Sequence, residues 1–285
     1  MSCWRRIPVS TAALWRSPRN GRGPSEPPVL AWLGQAGFLL QAAGKRLLLD
    51  PYLSDSLEAK YRGTDKPHAR LMPAPVPLAE VGDIDFVLCT HRHTDHMDGE
   101  TLRAIAAQNP ACLFVIPRAE LAQACALGLP VERLRQINAG ETINLTTGLE
   151  VRAVRAAHEQ LETDGEGQHR YLGYILRLPE TVIYHSGDSV PFDGLTAELG
   201  APEPALALLP VNGRGKGVAG NFTFQEAVAF CREAAIPELV PHHFGMFAFN
   251  TVDPARLAAA AAEVGSPVCH LPDSESCLQF NPEKI

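Results

Sequence analysis

The sequence predicts an α/β protein in which two sheets pack face to face with helices on the outside. Three observations point there. Apolar runs of strand length recur in both halves of the chain, helical periodicity follows the strands in each half, and 46% of the 285 residues are apolar against 20% charged. That composition supplies one large core or two modest ones and excludes a globally disordered chain. No run approaches the roughly 20 apolar residues that a bilayer-spanning helix needs, and the run Ala258 to Ala262 is far too short.

Residues 1 to 28 carry five arginines (Arg5, Arg6, Arg16, Arg19, Arg22) against a single acid, Glu26, and show no sustained apolar period. They are expected to form a flexible basic extension outside the fold, leaving 29–285 as one domain. An organellar leader is the other reading of such a stretch, whereas a secretory signal would need an apolar centre that these residues lack. The whole chain has a formal charge of −7 and a pI near 5.8, so bulk nucleic acid is not expected as a ligand. Seven cysteines without a C-x-x-C pair read as reduced thiols of a cytoplasmic protein. The expected partner is a small-molecule substrate, with no membrane contact and with homo-oligomers left open.

Element by element, Val29 to Leu33, Gly37 to Gln41 and Arg46 to Leu49 form an antiparallel meander, punctuated by Gly34 and by Ala43-Gly44. Residues 51 to 80, rich in proline, make a long irregular excursion of the kind that shapes sites. A buried strand from Ile84 to Cys89 leads to a helix at Glu100 to Ala107, a strand at Leu113 to Ile116 and a helix at Ala119 to Leu127. Strands follow at Thr142 to Leu145, Leu149 to Ala156, Tyr171 to Leu178, Thr181 to Tyr184 and Ala205 to Val211. A helix at Phe224 to Ala235, a strand at Glu238 to Pro241, a helix at Pro254 to Val264 and a strand at Pro267 to His270 close the chain.

Directly after the Ile84 to Cys89 strand comes Thr90-His91-Arg92-His93-Thr94-Asp95-His96-Met97-Asp98, with three imidazoles and a carboxylate in six positions. Side chains two apart in extended backbone share a face, so His91 and His93 can aim at one cation. As the chain turns into the next helix, Asp95 and His96 swing towards a second position. Gathering these groups without a cation would leave several of them poorly satisfied. An exposed histidine-rich loop is the bland alternative.

This pattern resembles the metallo-β-lactamase superfamily, which implies a four-layer αββα sandwich with one or two metal ions between its sheets. The resemblance assigns His91, His93 and His158 to one ion and Asp95, His96 and His243 to the other, with Asp188 between them. His158 lies in Ala156-Ala157-His158-Glu159, Asp188 in Tyr184-His185-Ser186-Gly187-Asp188, and His243 in Pro241-His242-His243-Phe244. His243 is preferred over His242 because the superfamily pattern is Pro-x-His. Trp32-Leu33-Gly34-Gln35-Ala36-Gly37-Phe38, Leu49-Asp50-Pro51-Tyr52 and the final Pro-His-His are similar to the L-ascorbate-6-phosphate lactonase-like branch. That similarity implies a lactonase or esterase acting through a metal-bridging hydroxide on a small, anionic or phosphorylated metabolite. Asp95 and Asp188 would be its catalytic carboxylates. The cofactors would be two divalent cations, Mn2+ or Zn2+, with one site allowed partial occupancy. A phosphodiesterase or nuclease on the same centre is the alternative; an oxygen-reducing diiron centre and a non-catalytic binding module are the others.

Further candidates have bland readings beside the functional ones. Asp50 is expected to accept a hydrogen bond from a ligand imidazole or to serve only a turn. Gln35 faces the metal site or caps the first hairpin, and His185 touches substrate or packs in its strand. The loops 61–70 and 212–217 concentrate positive charge, so Arg214 or Lys216 is expected to bind an anionic substrate group unless both loops are merely solvated. His68, His169 and His270 have no spacing that recommends them.

Overall fold

The computed structural model describes residues 2–17, 23, 26–215 and 217–284. Its first elements are β1 (Trp4–Ile7) and α1 (Thr11–Arg16), followed by the meander β2 (Val29–Gly34), β3 (Gly37–Ala42) and β4 (Lys45–Leu49). After α2 (Ser56–Tyr61) come β5 (Phe86–Leu88), α3 (Gly99–Gln108), β6 (Leu113–Pro117), α4 (Leu121–Ala126) and β7 (Leu134–Ile137). The second half runs through β8 (Thr142–Thr146), β9 (Leu149–Arg155), β10 (Leu172–Arg177), β11 (Val182–His185), α5 (Leu195–Leu199) and β12 (Leu206–Pro210). It ends with α6 (Phe224–Glu233), β13 (Glu238–His242), α7 (Pro254–Glu263), β14 (Val268–Cys269) and β15 (Cys277–Phe280).

These strands make two mixed sheets, β1-β15-β2-β3-β4-β5-β6-β7 and β14-β13-β12-β11-β10-β9-β8. Side-chain alternation decides which layer each residue joins. Leu30, Trp32, Phe38, Leu40, Leu47 and Leu49 enter the core shared with the second sheet, where they meet Val151, Tyr174 and Leu208. Their neighbours Val29, Ala31, Leu33, Leu39 and Leu48 point the other way, onto Leu14 of α1 and Leu102 and Ile105 of α3. Because the first sheet is covered on both faces, every residue of β2 and β3 is buried, and their sequence reads as continuous apolar runs. Helix α6, begun by a capping box between Thr223 and Glu226, packs Phe230 against Tyr184 on the outer face of the second sheet. The result is the αββα sandwich.

Short elements without periodicity depart from expectation: α2, β7, α5 and β15 arise where the sequence shows no clear pattern. The larger correction concerns the first residues. Far from lying outside the fold, Trp4–Ile7 pairs antiparallel with β15 at the edge of the first sheet, with Trp4 opposite Phe280. Trp4, Leu14 and Trp15 are all buried. The apolar side chains that do this work are few and widely spaced, and their partners lie far off in the sequence, Phe280 for Trp4 and the first sheet's outer face for Leu14 and Trp15; local periodicity cannot register such docking. Arg19 and Arg22 lie outside the described residues.

Glu238, on β13 of the second sheet, holds this strand in place. Its buried carboxylate accepts hydrogen bonds from Ser2 Oγ (2.5 Å) and from the backbone N–H groups of Cys3 (2.5 Å) and Trp4 (3.1 Å), and His270 Nε2 lies 2.6 Å away. Burial opposes ionisation of this carboxyl, but the contacts with His270, Ser2 and Cys3 outweigh it and hold its pKa below the ordinary 4.5. A depressed carboxylate pKa contributes stability in full above 4.5, lost as pH falls through the folded value. Glu238→Ala should therefore cost roughly 3 kcal/mol at neutral pH in urea unfolding. The difference from wild type should shrink as the pH is taken below 4.5.

Candidate metal centre

The site forms where strands end on one side of the sandwich. His91 follows β5, His158 follows β9, Asp188 follows β11 and His243 follows β13, while Gln35 occupies the β2–β3 hairpin and Asp50 the end of β4. The segment from His91 to His96 is held at both ends. Its far end is fixed by Asp98, the N-cap of α3, which accepts from Glu100 N and Thr101 N and from the hydroxyls of Ser54, Ser56 and Thr101. Its near end is fixed by Asp50, which accepts from Thr90 N and from Thr90 Oγ1, both at 2.7 Å.

Backbone geometry at the site is unusual. Gln35, Asp50 and His243 all have left-handed φ, at 51°, 41° and 62°. Such conformations cluster where surrounding contacts over-determine them. His243 N donates to Gln35 O at 3.0 Å, and Trp32 Nε1 donates to the same carbonyl at 3.0 Å. Gly187, with φ of 60°, is required before Asp188: a Cβ there would stand 2.7 Å from Leu172 O and 2.8 Å from Thr90 Cβ.

Three groups of side chains converge: His91, His93 and His158; His91, His96 and Asp188; and Asp95, His96 and His243, with the potential ligand atoms of each group within 4.8 Å of one another. Asp188 Oδ1 lies 3.3 Å from His96 Nε2, and its Oδ2 lies 3.3 Å from His243 Nε2 and 3.8 Å from His158 Nε2. Outer hydrogen bonds set which ring nitrogen faces inward. His96 Nδ1 is 2.7 Å from Asp50 Oδ2, His158 Nδ1 is 3.2 Å from Gly220 O, and His91 Nδ1 is 3.0 Å from Thr90 Oγ1. Each pairing leaves Nε2 for the centre. His91 Nε2, His96 Nε2 and Asp188 Oδ1 are nevertheless buried without a hydrogen-bond partner among the described residues. Buried lone pairs of this kind converging on one point are costly unless a cation takes them, so the donor set fits divalent metal.

Protein electrostatics divide these groups. Burial, reinforced by His96 and His93, pushes His91 well below the usual histidine range, and burial lowers His93 to about 4. Burial acts the same way on His96 and His243, but neighbouring carboxylates outweigh it: Asp188 and Asp50 raise His96, and Asp188 and Asp95 push His243 up to about 9. The carboxyls of Asp95 and Asp188 resist burial and stay below their usual range because imidazolium groups face them. Without a cation, protons on His96 and His243 balance the two carboxylates.

Of the other expected residues, Asp50 and Gln35 stand against the centre. Gln35 Nε2 donates to Asp95 Oδ2 at 2.9 Å and lies 3.1 Å from His243 Nε2. His242 is not part of the cluster; it stacks on His185 in the core, with ring centroids 5.1 Å apart. His185 does not line the site cavity. It is fully buried, donates from Nε2 to Ala36 O at 3.0 Å and accepts at Nδ1 from Gly187 N at 2.9 Å, so it braces the turn that carries Asp188. Arg214 is likewise displaced: its guanidinium pairs with Glu226 of the α6 capping box and donates to Asn221 O, and it lines a separate cavity with Arg256. Lys216 lies outside the described residues.

The cavity above the centre measures about 530 Å³ and is bordered by His93, Asp95, His158, Asp188 and His243. Among the described residues its cations are Lys60 and Arg92, and the loop 61–70 reaches it through Tyr61 and His68. Of that loop's charges, Lys66 donates to Gly217 O, linking the two loops that the sequence marks as basic, and Arg70 turns inward against Tyr52. Lys60 and His68 carry no sequence signal for this cavity because only the folded excursion brings them to it, whereas Arg92 is placed there by its position between His91 and His93.

A family model described as "Beta-lactamase superfamily domain" matches residues 45–244. Among curated relatives, a UPF0173 metal-dependent hydrolase of Caldivirga maquilingensis is 32% identical over 230 residues, covering 79% of this chain and 86% of the relative. Another, of Methanopyrus kandleri, is 30% identical over 248 residues, covering 84% and 94%. Among solved structures, an isothiocyanate hydrolase from Delia radicum gut bacteria superposes with a TM-score of 0.71 at 21% identity, covering 87% of this chain and 98% of that one. At that identity the likeness concerns the fold.

Two outcomes follow from the geometry. Asp50→Asn, which cannot hold His96 in the same tautomer as a carboxylate does, should weaken metal binding about 10- to 100-fold in a chelator competition. Because cations must displace protons from His96 and from His243, with its pKa of about 9, metal affinity should rise as the pH is raised from 6 to 9. Calorimetry in buffers of different ionisation enthalpy should register the released protons.

Proposed function

This chain belongs to the beta-lactamase superfamily and to its UPF0173 metal-dependent hydrolase family, and on that premise we propose that it hydrolyses an ester or lactone of a small anionic metabolite. One observation carries the reading: the buried, unpartnered His91 Nε2, His96 Nε2 and Asp188 Oδ1 lie in the same donor cluster as His93, Asp95, His158 and His243, which border a cavity that Lys60 and Arg92 also line. Divalent cations bound there would supply Lewis acidity and lower the pKa of a water towards neutrality. We assign His91, His93 and His158 to one cation, Asp95, His96 and His243 to the other, and Asp188 to both. Imidazole and carboxylate donors without a thiolate suit Mn2+ or Zn2+.

The protein's own part is to position and to discriminate. Asp95 remains ionised and has its Oδ2 fixed by Gln35, so it accepts a hydrogen bond from the attacking water and sets its direction. Asp50 and Thr90 hold His96 and His91 in the orientation that the centre needs. Lys60 and Arg92 attract a carboxylate or phosphate on the substrate, placing the scissile carbonyl over the centre. A lactone or ester bearing a phosphate or carboxylate has this form.

His91→Ala, His93→Ala, Asp95→Ala and Asp188→Ala should each lower kcat/KM by about a thousandfold. Chelation should abolish turnover, and readdition of single metals should rank them. Replacing Lys60 and Arg92 together should raise KM for phosphorylated lactones while leaving uncharged lactones little changed. Faster turnover of bis-p-nitrophenyl phosphate than of any lactone or ester would overturn the ester reading.

A further inference from the structure

One wall of the cavity is made of rings that the hydrolytic chemistry does not require. Tyr61, at the end of α2, lies flat on His68, with centroids 4.1 Å apart and planes 21° apart. His68 meets Phe249 and Phe247 edge-on at 4.6 Å and 5.0 Å, and the two phenylalanines stack at 6.2 Å. All four line the same cavity as His93 and Asp95. The ring of His68 is not free to turn, because its Nδ1 is bonded to Lys66 O at 2.8 Å.

Two features make this wall a binding surface rather than core. Tyr61, His68 and Phe249 are only half-buried, and Phe247, itself buried with Tyr52, Leu57 and Met246, backs them. The wall is also composite. Tyr61 and His68 come from the excursion between β4 and β5, and Phe247 and Phe249 from the segment after His243, so the rings meet beside the metal centre and nowhere else in the fold. A flat π-surface, oriented by hydrogen bonding and packing, offers offset-stacked or edge-on contact to another flat ring and little to an open polyol chain.

We propose that Tyr61, His68, Phe247 and Phe249 form the substrate-recognition wall of the cavity, which selects esters or lactones bearing a planar aromatic or unsaturated ring next to the scissile bond. This rests on the hydrolase reading of the same cavity and deepens it by naming the substrate class. Lys60, whose ammonium lies 5.1 Å from the Tyr61 ring centroid, puts a cation beside the wall, so an anionic substituent on the ring falls within its reach.

Two hydroxamates of equal metal-binding chemistry, benzohydroxamate and acetohydroxamate, test this by calorimetric titration of the metal-loaded protein. The wild type should bind benzohydroxamate more tightly by roughly three- to tenfold, the scale of one good aromatic contact. Phe249→Ala and His68→Ala should bring that ratio towards one with acetohydroxamate affinity unchanged, and His68→Phe, which keeps a flat ring, should retain it. Equal affinities in the wild type, or an undiminished ratio in both alanine variants, would overturn the wall while leaving the metal centre standing. Failure of both hydroxamates to bind would instead overturn the metal centre, and the wall as a substrate surface with it.

Discussion

The contact on which the centre depends is made by Asp50, whose Oδ2 stands 2.7 Å from both Thr90 Oγ1 and His96 Nδ1. One buried carboxylate thus ties the end of β4 to the end of β5 and orients a ring on the loop beyond. In water such a carboxylate would gain little from either bond; with both partners fully buried, each bond is stronger and each loss more costly. That is why a residue with no place in the candidate ligand set governs its geometry. The left-handed backbone of Asp50 belongs to the same arrangement, since its N–H donates to Leu88 O at 2.9 Å while its side chain turns to Thr90.

The sandwich serves this centre by bringing four strand ends from two sheets to one side. His91 arrives from the first sheet, and His158, Asp188 and His243 from the second. Their convergence is therefore a readout of sheet-on-sheet packing, and the inter-sheet core of Trp32, Phe38, Tyr174 and Leu208 maintains it. At the start of β13, five residues before His243, Glu238 binds the first residues of the chain. The strand that carries one candidate ligand is in this way anchored at its opposite end by residues that add no chemistry.

Charge is distributed with a similar division of labour. The donor cluster gathers carboxylates and imidazoles, the cavity lining carries Lys60 and Arg92, and Arg214 is committed elsewhere by Glu226. An overall acidic protein can still draw an anion to one cavity, because the local groups dominate at contact distance and salt screens the rest.

The amino-acid sequence by itself determined the layers and the local part of the candidate ligand set. Apolar runs broken by glycine locate β2, β3 and β4, and the spacing of His91, His93, Asp95 and His96 announces a cation site, because both signals are local and repeat with the backbone period. Distant members of the centre were legible only through resemblance, since a lone His158 or Asp188 carries no period. Tertiary structure alone decided three things: that Trp4 joins the first sheet, that His185 and Arg214 are spent on structure, and that Lys60 and His68 line the cavity. Each depends on contacts between segments far apart in the chain, or on a loop whose course no hydrophobic pattern encodes. A side chain's charge is written in the sequence; which partner captures it is settled by packing.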